Sequence, residues 1–269
     1  ELEENYLDNW DVNNKNGKES IFSTQHALST ASDGSGGNHL AHCAFSSGFS
    51  NSTPHVLISD IKFFDAFDDL DQRKEGTYAK ELYNPSTNSI FTFTLPRYRK
   101  YIDISNPLGS ASNRNINRSI LRYADVLLIK AEAINELNNN PSAEAYEAIN
   151  QVRRRAFRHF PITQPSVNDL PSGLDYEEFK QAIQNERMFE LTYEQSHWLD
   201  LVRWRIYVKT LKESGVDESF KKQTVELKNY RFPIPQSQRN INPKGLWQNW
   251  GYDGYDESIT GTNPYADFE

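Results

Sequence analysis

Cysteine and long apolar runs are scarce in this sequence. Cys43 is the single cysteine among 269 residues, so no intrachain disulfide can form and cysteine usage does not indicate the redox compartment. No run of about 18 apolar residues occurs, so no segment is predicted to span a membrane. The opening segment, Glu1–Glu4, is acidic and lacks the apolar core of a signal peptide. Either the protein is not exported or its targeting segment has been removed.

Positive charge is also in deficit. The 29 Lys and Arg residues are outnumbered by 37 Asp and Glu residues, which gives a net charge of −8. Nucleic-acid binding needs Lys and Arg clustered opposite phosphates, so no nucleic-acid partner is expected. The main basic cluster, Arg153–Arg155, lies in a segment of helical periodicity. We interpret it as helix surface and ion pairing.

The sequence lacks the short motifs that mark common enzymes and cofactor sites. It has no nucleophile elbow, phosphate loop, His-Glu-x-x-His pair or dinucleotide fingerprint, so no cofactor is expected. His39, His42 and Cys43 offer zinc ligands, but a closed zinc site needs four ligands. His26 and His55 are candidates for the fourth, and neither stands out, so no metal site is predicted.

Aromatic residues, by contrast, are abundant, with 14 Tyr, 15 Phe and 5 Trp. Many lie in residues 1–116, where polar, glycine-rich loops such as Ser29–Asn38 separate short β-like runs at Ser20–Ser23 and Ser89–Leu95. An exposed aromatic ring can stack on a sugar, although core packing is the commoner role. This region is the candidate ligand-facing part of the chain. Its candidate ligand-binding residues are Phe45, Phe49, His55, Tyr78 and Tyr83.

Residues 117–269 form a second segment, in which a helical period dominates as far as residue 213. Helix one is predicted from about Arg118 to Leu137, and helix two begins at Asn140-Pro141, so that the two pack as a tetratricopeptide-like hairpin. Helix three opens at Asp175 with a capping box, and helix four runs from Ser196 to about Leu211. The predicted fold is mainly α, with this helix hairpin, long irregular loops and a few short β-strands.

Charged residues recur at helical spacing on these helices, for example Arg122 and Asp125 at i, i+3. Glu186, Glu190 and Glu194 form a row that could supply an acid and a base for glycoside hydrolysis. Structural pairing with arginines is favoured over that alternative. The predicted salt-bridge seam consists of Arg118, Arg122, Asp125, Glu132, Glu186, Arg187, Glu190 and Arg203.

Several motifs in a fixed order resemble the SusD/RagB family. The helix from Arg118 resembles its R-x-x-RYADVLL segment and continues as AEA-x-NE, and INQVR at residues 149–153 resembles INxVR. Next come ER-x-x-EL-x-YE at residues 186–194, DLVRW at 200–204 and a closing PIP…NP…QNxGY up to residue 252. Looser matches lie upstream, at Glu19–Phe22, Asp71–Arg73 and Lys100–Asp103. Together these motifs are highly specific.

The chain departs from the family pattern in two respects. The family usually has Glu-Gly-x-Arg where this chain has Glu194-Gln195-Ser196-His197. Gln195 lacks the backbone freedom of glycine, and His197 lacks the forked guanidinium of arginine. The turn or its salt bridge should therefore differ. Relatives are also roughly twice as long and carry a lipidated N-terminal cysteine. We therefore expect this chain to be the C-terminal half of such a protein, with segments 1–116 and 117–269 forming one structural unit.

The resemblance implies a non-catalytic lipoprotein on the outer face of the outer membrane of Bacteroidetes-type bacteria. Such a protein captures oligosaccharide nutrients, or peptides in the RagB branch, and acts as a lid over a TonB-dependent channel. The membrane is reached only through an N-terminal lipid anchor that is not present in this chain. The recognised motifs are mostly scaffold, so the resemblance assigns no ligand-binding residue.

Overall fold

The computed structural model of the protein describes residues 1–27, 40, 60–84, 88–102, 115–194, 196–214 and 224–268. The chain forms two compact units, Glu1–His197 and Trp198–Glu269. The His39, His42 and Cys43 group lies outside the described residues, as does Gln195. Among the residues that are described, no helix is long and apolar enough to cross a membrane.

Within its described residues, the first unit contains four strands. They are β1 (Ser20–Thr24), β2 (Tyr78–Asn84), β3 (Ser89–Tyr98) and β4 (Arg118–Arg122). They form two antiparallel pairs, β1 with β4 and β2 with β3. The start of helix one predicted at Arg118 is wrong, because residues 118–122 are strand β4. Pairing with the distant β1 overrides the local helical pattern, as strand formation depends on partners that a local pattern does not contain.

Of the helices in the described part of the first unit, only those after residue 122 correspond to helices predicted from the sequence. A 3₁₀ helix covers Tyr6–Trp10, and the α-helices are α1 (Ile61–Asp65), α2 (Gln72–Thr77), α3 (Tyr123–Asn138), α4 (Ala143–Ala156) and α5 (Tyr176–Leu191). Helix α3 ends at Asn139, which has a φ of 50°, a conformation that Asn tolerates better than most residues. Helix α4 is capped by Ser142, two residues after the predicted Asn140.

The main core lies between α3, α4 and α5. Small residues let these helices approach closely, and large residues fill the remaining space. Each large side chain that is fully buried contributes about 1.5–3 kcal/mol. The buried members are Leu2, Ala124, Leu127, Leu128, Ala131, Ala145, Ala148, Ile149, Val152, Phe179 and Ile183. Helix α3 is less enclosed than its sequence suggests, because Ile129 and Leu137 are exposed.

The predicted capping box at the start of α5 is confirmed. The Asp175 carboxylate accepts the backbone N–H of Glu178 at 2.9 Å, and the Glu178 carboxylate accepts that of Asp175 at 3.0 Å. Two N–H groups that the helix leaves unpaired are thereby satisfied.

Asp175→Ala should therefore lower the free energy of unfolding by about 1 kcal/mol. Urea denaturation followed by circular dichroism measures this change. Asp175→Asn keeps an acceptor oxygen and is the matched control, which should stay close to the unmodified protein. Equal stability of the Ala variant and the control would contradict the role of the cap.

The second unit contains α6 (Ser196–Arg203), which begins in the preceding unit, then α7 (Tyr207–Glu213), a 3₁₀ helix at Leu227–Tyr230, α8 (Gln236–Ile241) and α9 (Glu257–Thr260). The predicted start at Ser196 is confirmed, but the single helix to Leu211 is wrong. Arg205 has a φ of 64°, and Ile206 N–H donates to the Leu201 carbonyl at 3.0 Å. This is a helix-ending turn with a left-handed residue, although Arg205 is not glycine.

The core of the second unit is rich in aromatic side chains. Tyr230 stacks on Tyr265 with ring centroids 5.4 Å apart, and Phe268 meets Tyr230 edge to face at 5.0 Å. Val208 and Val225 are buried beside them. Offset and edge-to-face rings add stability beyond the area that they bury. Packing of aromatic side chains therefore stabilises the segment after residue 224, although its sequence has only a weak helical period.

Candidate functional site

A buried cluster of charged side chains occupies the centre of the first unit. We call it the ion cluster. Its carboxylates lie in the turn before β1, before α2, on α5 and just after α5. Its cations lie on α2, just after β3, on β4 and on α4. The members are Glu19, Asp71, Glu186, Glu190, Glu194, Arg73, Lys100, Arg122 and Arg155. Each of these side chains is at most 6% exposed to solvent. Buried charges are tolerated only when they are paired and hydrogen-bonded.

Glu190 lies at the middle of the ion cluster and is 0% exposed. One of its oxygens accepts hydrogen bonds from Arg122 and Arg155, and the other accepts from Arg73 at 3.1 Å. These neighbouring guanidinium groups outweigh the cost of burial and hold the pKa of Glu190 well below its usual range. Glu190 is therefore ionised at neutral pH and shared by three cations.

Arg122 links three segments of the chain. Its guanidinium donates to Glu19 at 2.5 Å, to Glu194 at 2.9 Å and to Glu190. The backbone supports this position, because Tyr123 N–H donates to the Glu19 carbonyl at 2.8 Å where β4 passes into α3. The strand that replaces the predicted helical turn thus delivers Arg122 to the carboxylates of α5.

Aromatic rings close one side of the ion cluster. Tyr6 donates its hydroxyl to the Glu190 carbonyl at 2.7 Å. Lys100 lies 4.7 Å from the Trp10 ring centroid and 5.1 Å from that of Tyr6, and it pairs with Glu194 at 2.9 Å. Burial lowers the pKa of Lys100 to about 8, against the opposing influence of Glu194. The 3₁₀ helix therefore shields the charges from water while its rings contact the cations.

The glutamate row predicted from the sequence, Glu186, Glu190 and Glu194, belongs to the ion cluster. Glu186 pairs with Arg73 at 2.6 Å and with Arg153 at 3.0 Å, and Glu190 and Glu194 are held as described above. A glycosidase pair must flank an open cleft at a set separation. These carboxylates are buried and already bound to cations, so they have no access to a glycosidic bond.

The predicted salt-bridge residues have partners different from those proposed from spacing. Arg122 does not pair with Asp125 along one helix, because it precedes α3. Asp125 instead pairs with Arg187 at 2.7 Å, and Arg203 pairs with Asp200 at 2.8 Å. Arg118 lies on β4 and Glu132 on α3.

The basic run on α4 forms ion pairs, as predicted, but two of its three arginines are buried and do not lie on the helix surface. Arg155 belongs to the ion cluster, and Arg154 is buried between Asp169 at 2.6 Å and Glu147 at 2.9 Å. Arg153 is the most exposed of the three. Local periodicity could not reveal this, because only Glu147 lies on α4, whereas Asp169 and Glu190 come from elsewhere in the chain.

The candidate ligand-binding residues fall into three groups. Phe45, Phe49 and His55 lie outside the described residues. Tyr78 is 3% exposed and packs edge to face on Phe64, with ring centroids 5.4 Å apart, so its ring is part of the interior. Tyr83 is 56% exposed near the end of β2.

The β2–β3 hairpin presents Tyr83 together with other side chains that could contact a ligand. Tyr83 donates its hydroxyl to the Asn88 side chain at 2.9 Å, which orients the ring. Ile90 lies directly opposite in the strand register and is also exposed. Cross-strand partners share one face of a sheet, so the ring, the aliphatic side chain and the amide form one surface. We call this surface the Tyr83 face.

A groove of about 650 Å³ also opens on the first unit. It is lined by Tyr123, Phe160, Gln151 and Lys18, among others. Its volume lies within the range of small-molecule sites, which combine apolar walls with a few polar groups. No sequence pattern predicts this groove, because only the fold brings Tyr123 and Phe160 together. Within the described ranges no group of three or more potential metal ligands occurs.

Comparison with known proteins gives consistent matches. The sequence profile of the SusD family matches residues 14–252. The SusD-like protein P25 of Formosa agariphila is 30% identical over 187 residues, which is 67% of this chain and 34% of that protein.

Solved structures agree. A SusD homolog from Bacteroides thetaiotaomicron is 26% identical with a TM-score of 0.76, over 94% of this chain and 56% of its own. Surface glycan-binding protein A from Bacteroides fluxus is 25% identical with a TM-score of 0.69, over 94% of this chain and 55% of its own. The chain therefore spans little more than half the length of these two structures.

Proposed function

The chain belongs to the SusD family, and from this we propose that it is the ligand-binding part of a bacterial surface protein that captures oligosaccharides. The observation that carries the proposal is the family match, together with the likeness to a protein named for surface glycan binding. The exposed aromatic of the Tyr83 face supports it, because a pyranose ring stacks its C–H face on such a ring. The bound carboxylates of α5 support a non-catalytic role.

We further propose that the whole protein sits on the outer face of the outer membrane and delivers its ligand to a TonB-dependent channel. Affinity purification from detergent-solubilised outer membranes tests this part. Recovery of a TonB-dependent channel with the protein is the expected result. Glycan binding in the absence of any such channel would restrict the function to capture alone.

Isothermal titration calorimetry with neutral and acidic hexasaccharides tests the capture function. We expect binding to at least one neutral hexasaccharide. Tight binding of peptides from a tryptic digest of casein, with no glycan binding, would replace the proposal with a peptide-importing role.

Tyr83→Ala should weaken glycan binding about tenfold, because it removes about 1.4 kcal/mol of ring stacking. Tyr83→Phe is the matched control, since it removes only the hydroxyl that bonds Asn88 and keeps the ring. Its affinity should stay close to that of the unmodified protein in the same titration. Unchanged affinity in the Ala variant would remove the Tyr83 face from the binding site.

A further inference from the structure

A second surface groove, of about 480 Å³, lies within the unit Trp198–Glu269. We call it the α8 groove. Its walls come from α8, from the segment that follows α8 and from the start of α9. We propose that the α8 groove binds a neutral sugar unit of an oligosaccharide, as a glycan subsite separate from the Tyr83 face. This inference rests on the proposed glycan-binding function and assigns a further site to it.

The apolar part of the α8 groove is Trp247, which is 42% exposed. An indole offers a broad flat face, and it costs little conformational entropy to hold in place. A pyranose ring has one face of C–H groups that matches such a surface. Leu246 and Ile259 add to the apolar lining.

Hydrogen bonds within the protein hold the polar side chains of the groove in place before a ligand binds. Arg239 donates to the Gln236 side chain at 3.1 Å and to the Gly254 carbonyl at 3.0 Å. Gln236 in turn donates to the Asn240 side chain at 2.7 Å. Arg239 also donates from Nη1 to the Asp253 carbonyl at 3.5 Å, and its Nε–H is buried. Of the five N–H donors of the guanidinium, the second Nη2–H therefore remains for a hydroxyl group of a ligand. Groups that are fixed before binding lose less entropy when a ligand arrives.

Gly254 allows this arrangement. It has a φ of 79°, and a Cβ atom at this position would lie 2.7 Å from the Arg239 Nη1 atom. Any other residue would displace the guanidinium or strain the backbone. The glycine thus lets the loop carbonyl approach Arg239 and hold it at the groove.

The charges of the groove favour a neutral ligand. The cation Arg239 is balanced by Asp256, whose carboxylate caps α9 by accepting the Ser258 N–H at 3.0 Å and its hydroxyl at 2.7 Å. Side-chain amides, a carboxylate and a guanidinium together accept from and donate to sugar hydroxyls. A phosphate or sulfate group would instead favour a site with excess positive charge.

Fluorine NMR of the protein labelled with 5-fluorotryptophan tests the α8 groove directly. Loss of one signal in Trp247→Phe identifies the Trp247 resonance. Titration with laminarihexaose, maltohexaose, cellohexaose and xylohexaose should shift that signal for at least one of them. Trp247→Ala should weaken binding of that glycan at the groove about tenfold, and Trp247→Phe should stay within about threefold because it keeps a ring.

Phe232→Ala is the matched control, because Phe232 is an exposed aromatic of the same unit that does not line the groove. Its glycan affinity should be unchanged, and circular dichroism checks that each variant is folded. An unshifted Trp247 signal in a protein that binds glycan would overturn the α8 subsite alone. Binding of none of the four glycans would overturn the proposed function and the subsite with it. A Trp247 shift caused by casein peptides and by no glycan would overturn the sugar assignment.

Discussion

Glu190→Gln is expected to lower the free energy of unfolding by about 3–5 kcal/mol, the usual cost of breaking a buried ion pair. Glutamine has nearly the shape of glutamate, so the loss comes from charge and not from a cavity. Arg155 loses the most stabilisation. Its other carboxylate contact, with Glu19, is long at 3.4 Å, and its Nε–H is buried without an acceptor in the described part of the chain. Arg73 and Arg122 keep other carboxylates.

Urea denaturation followed by circular dichroism measures this change, since α3–α5 supply much of the helical signal of the first unit. Glu144→Gln is the matched control. Glu144 is 66% exposed and pairs with Lys130 across the surface at 2.7 Å. Such pairs contribute under about 1 kcal/mol. A Glu190→Gln variant no less stable than this control would show that the ion cluster does not hold the fold together.

The ion cluster also shows what the sequence could predict. The spacing of Glu186 and Glu190 correctly indicated a row on one helix face, whereas Glu194 lies beyond the end of α5 at Leu191. Ion pairing was the favoured interpretation of all three residues. The partners could not be deduced, because Arg73, Lys100 and Arg122 lie on other segments. All three occur in motifs that resemble the family, yet no local pattern says that these motifs meet. Their convergence in one buried cluster gives a physical reason for their presence.

The mainly α fold of the SusD family is confirmed by the solved structures, whereas individual boundaries were less predictable. Capping at Asp175 is a local interaction, and it was found from sequence. The strand at Arg118–Arg122 depends on β1, and the break after Arg203 depends on a left-handed Arg205, so neither has a local signal. Tyr78 and Tyr83 lie five residues apart in one strand, and this odd spacing favours opposite faces, but only tertiary packing decides which face is buried.

Acidification should destabilise the protein, because it protonates the carboxylates of Glu190 and Glu194 in the ion cluster. Arginine and lysine neighbours hold the pKa values of Glu190 and Glu194 below the ordinary value of 4.5. Their stabilisation is complete above that value and is lost as pH falls towards the folded-state pKa, because the unfolded chain binds protons first. Each such group makes stability fall by up to about 1.4 kcal/mol per pH unit in this window.

Urea midpoints measured from about pH 7 down to about pH 2 test this pH dependence. The stability of Glu190→Gln should fall less steeply with acid, because the variant lacks one of the titrating groups, and the gap to the unmodified protein should narrow. Asp8→Asn is the control, and its effect on the pH dependence of stability should be opposite to that of Glu190→Gln. Burial raises the pKa of Asp8, so its removal should steepen the acid-dependent loss. Parallel curves for Glu190→Gln and the unmodified protein would contradict an ionised Glu190 at the centre of the ion cluster.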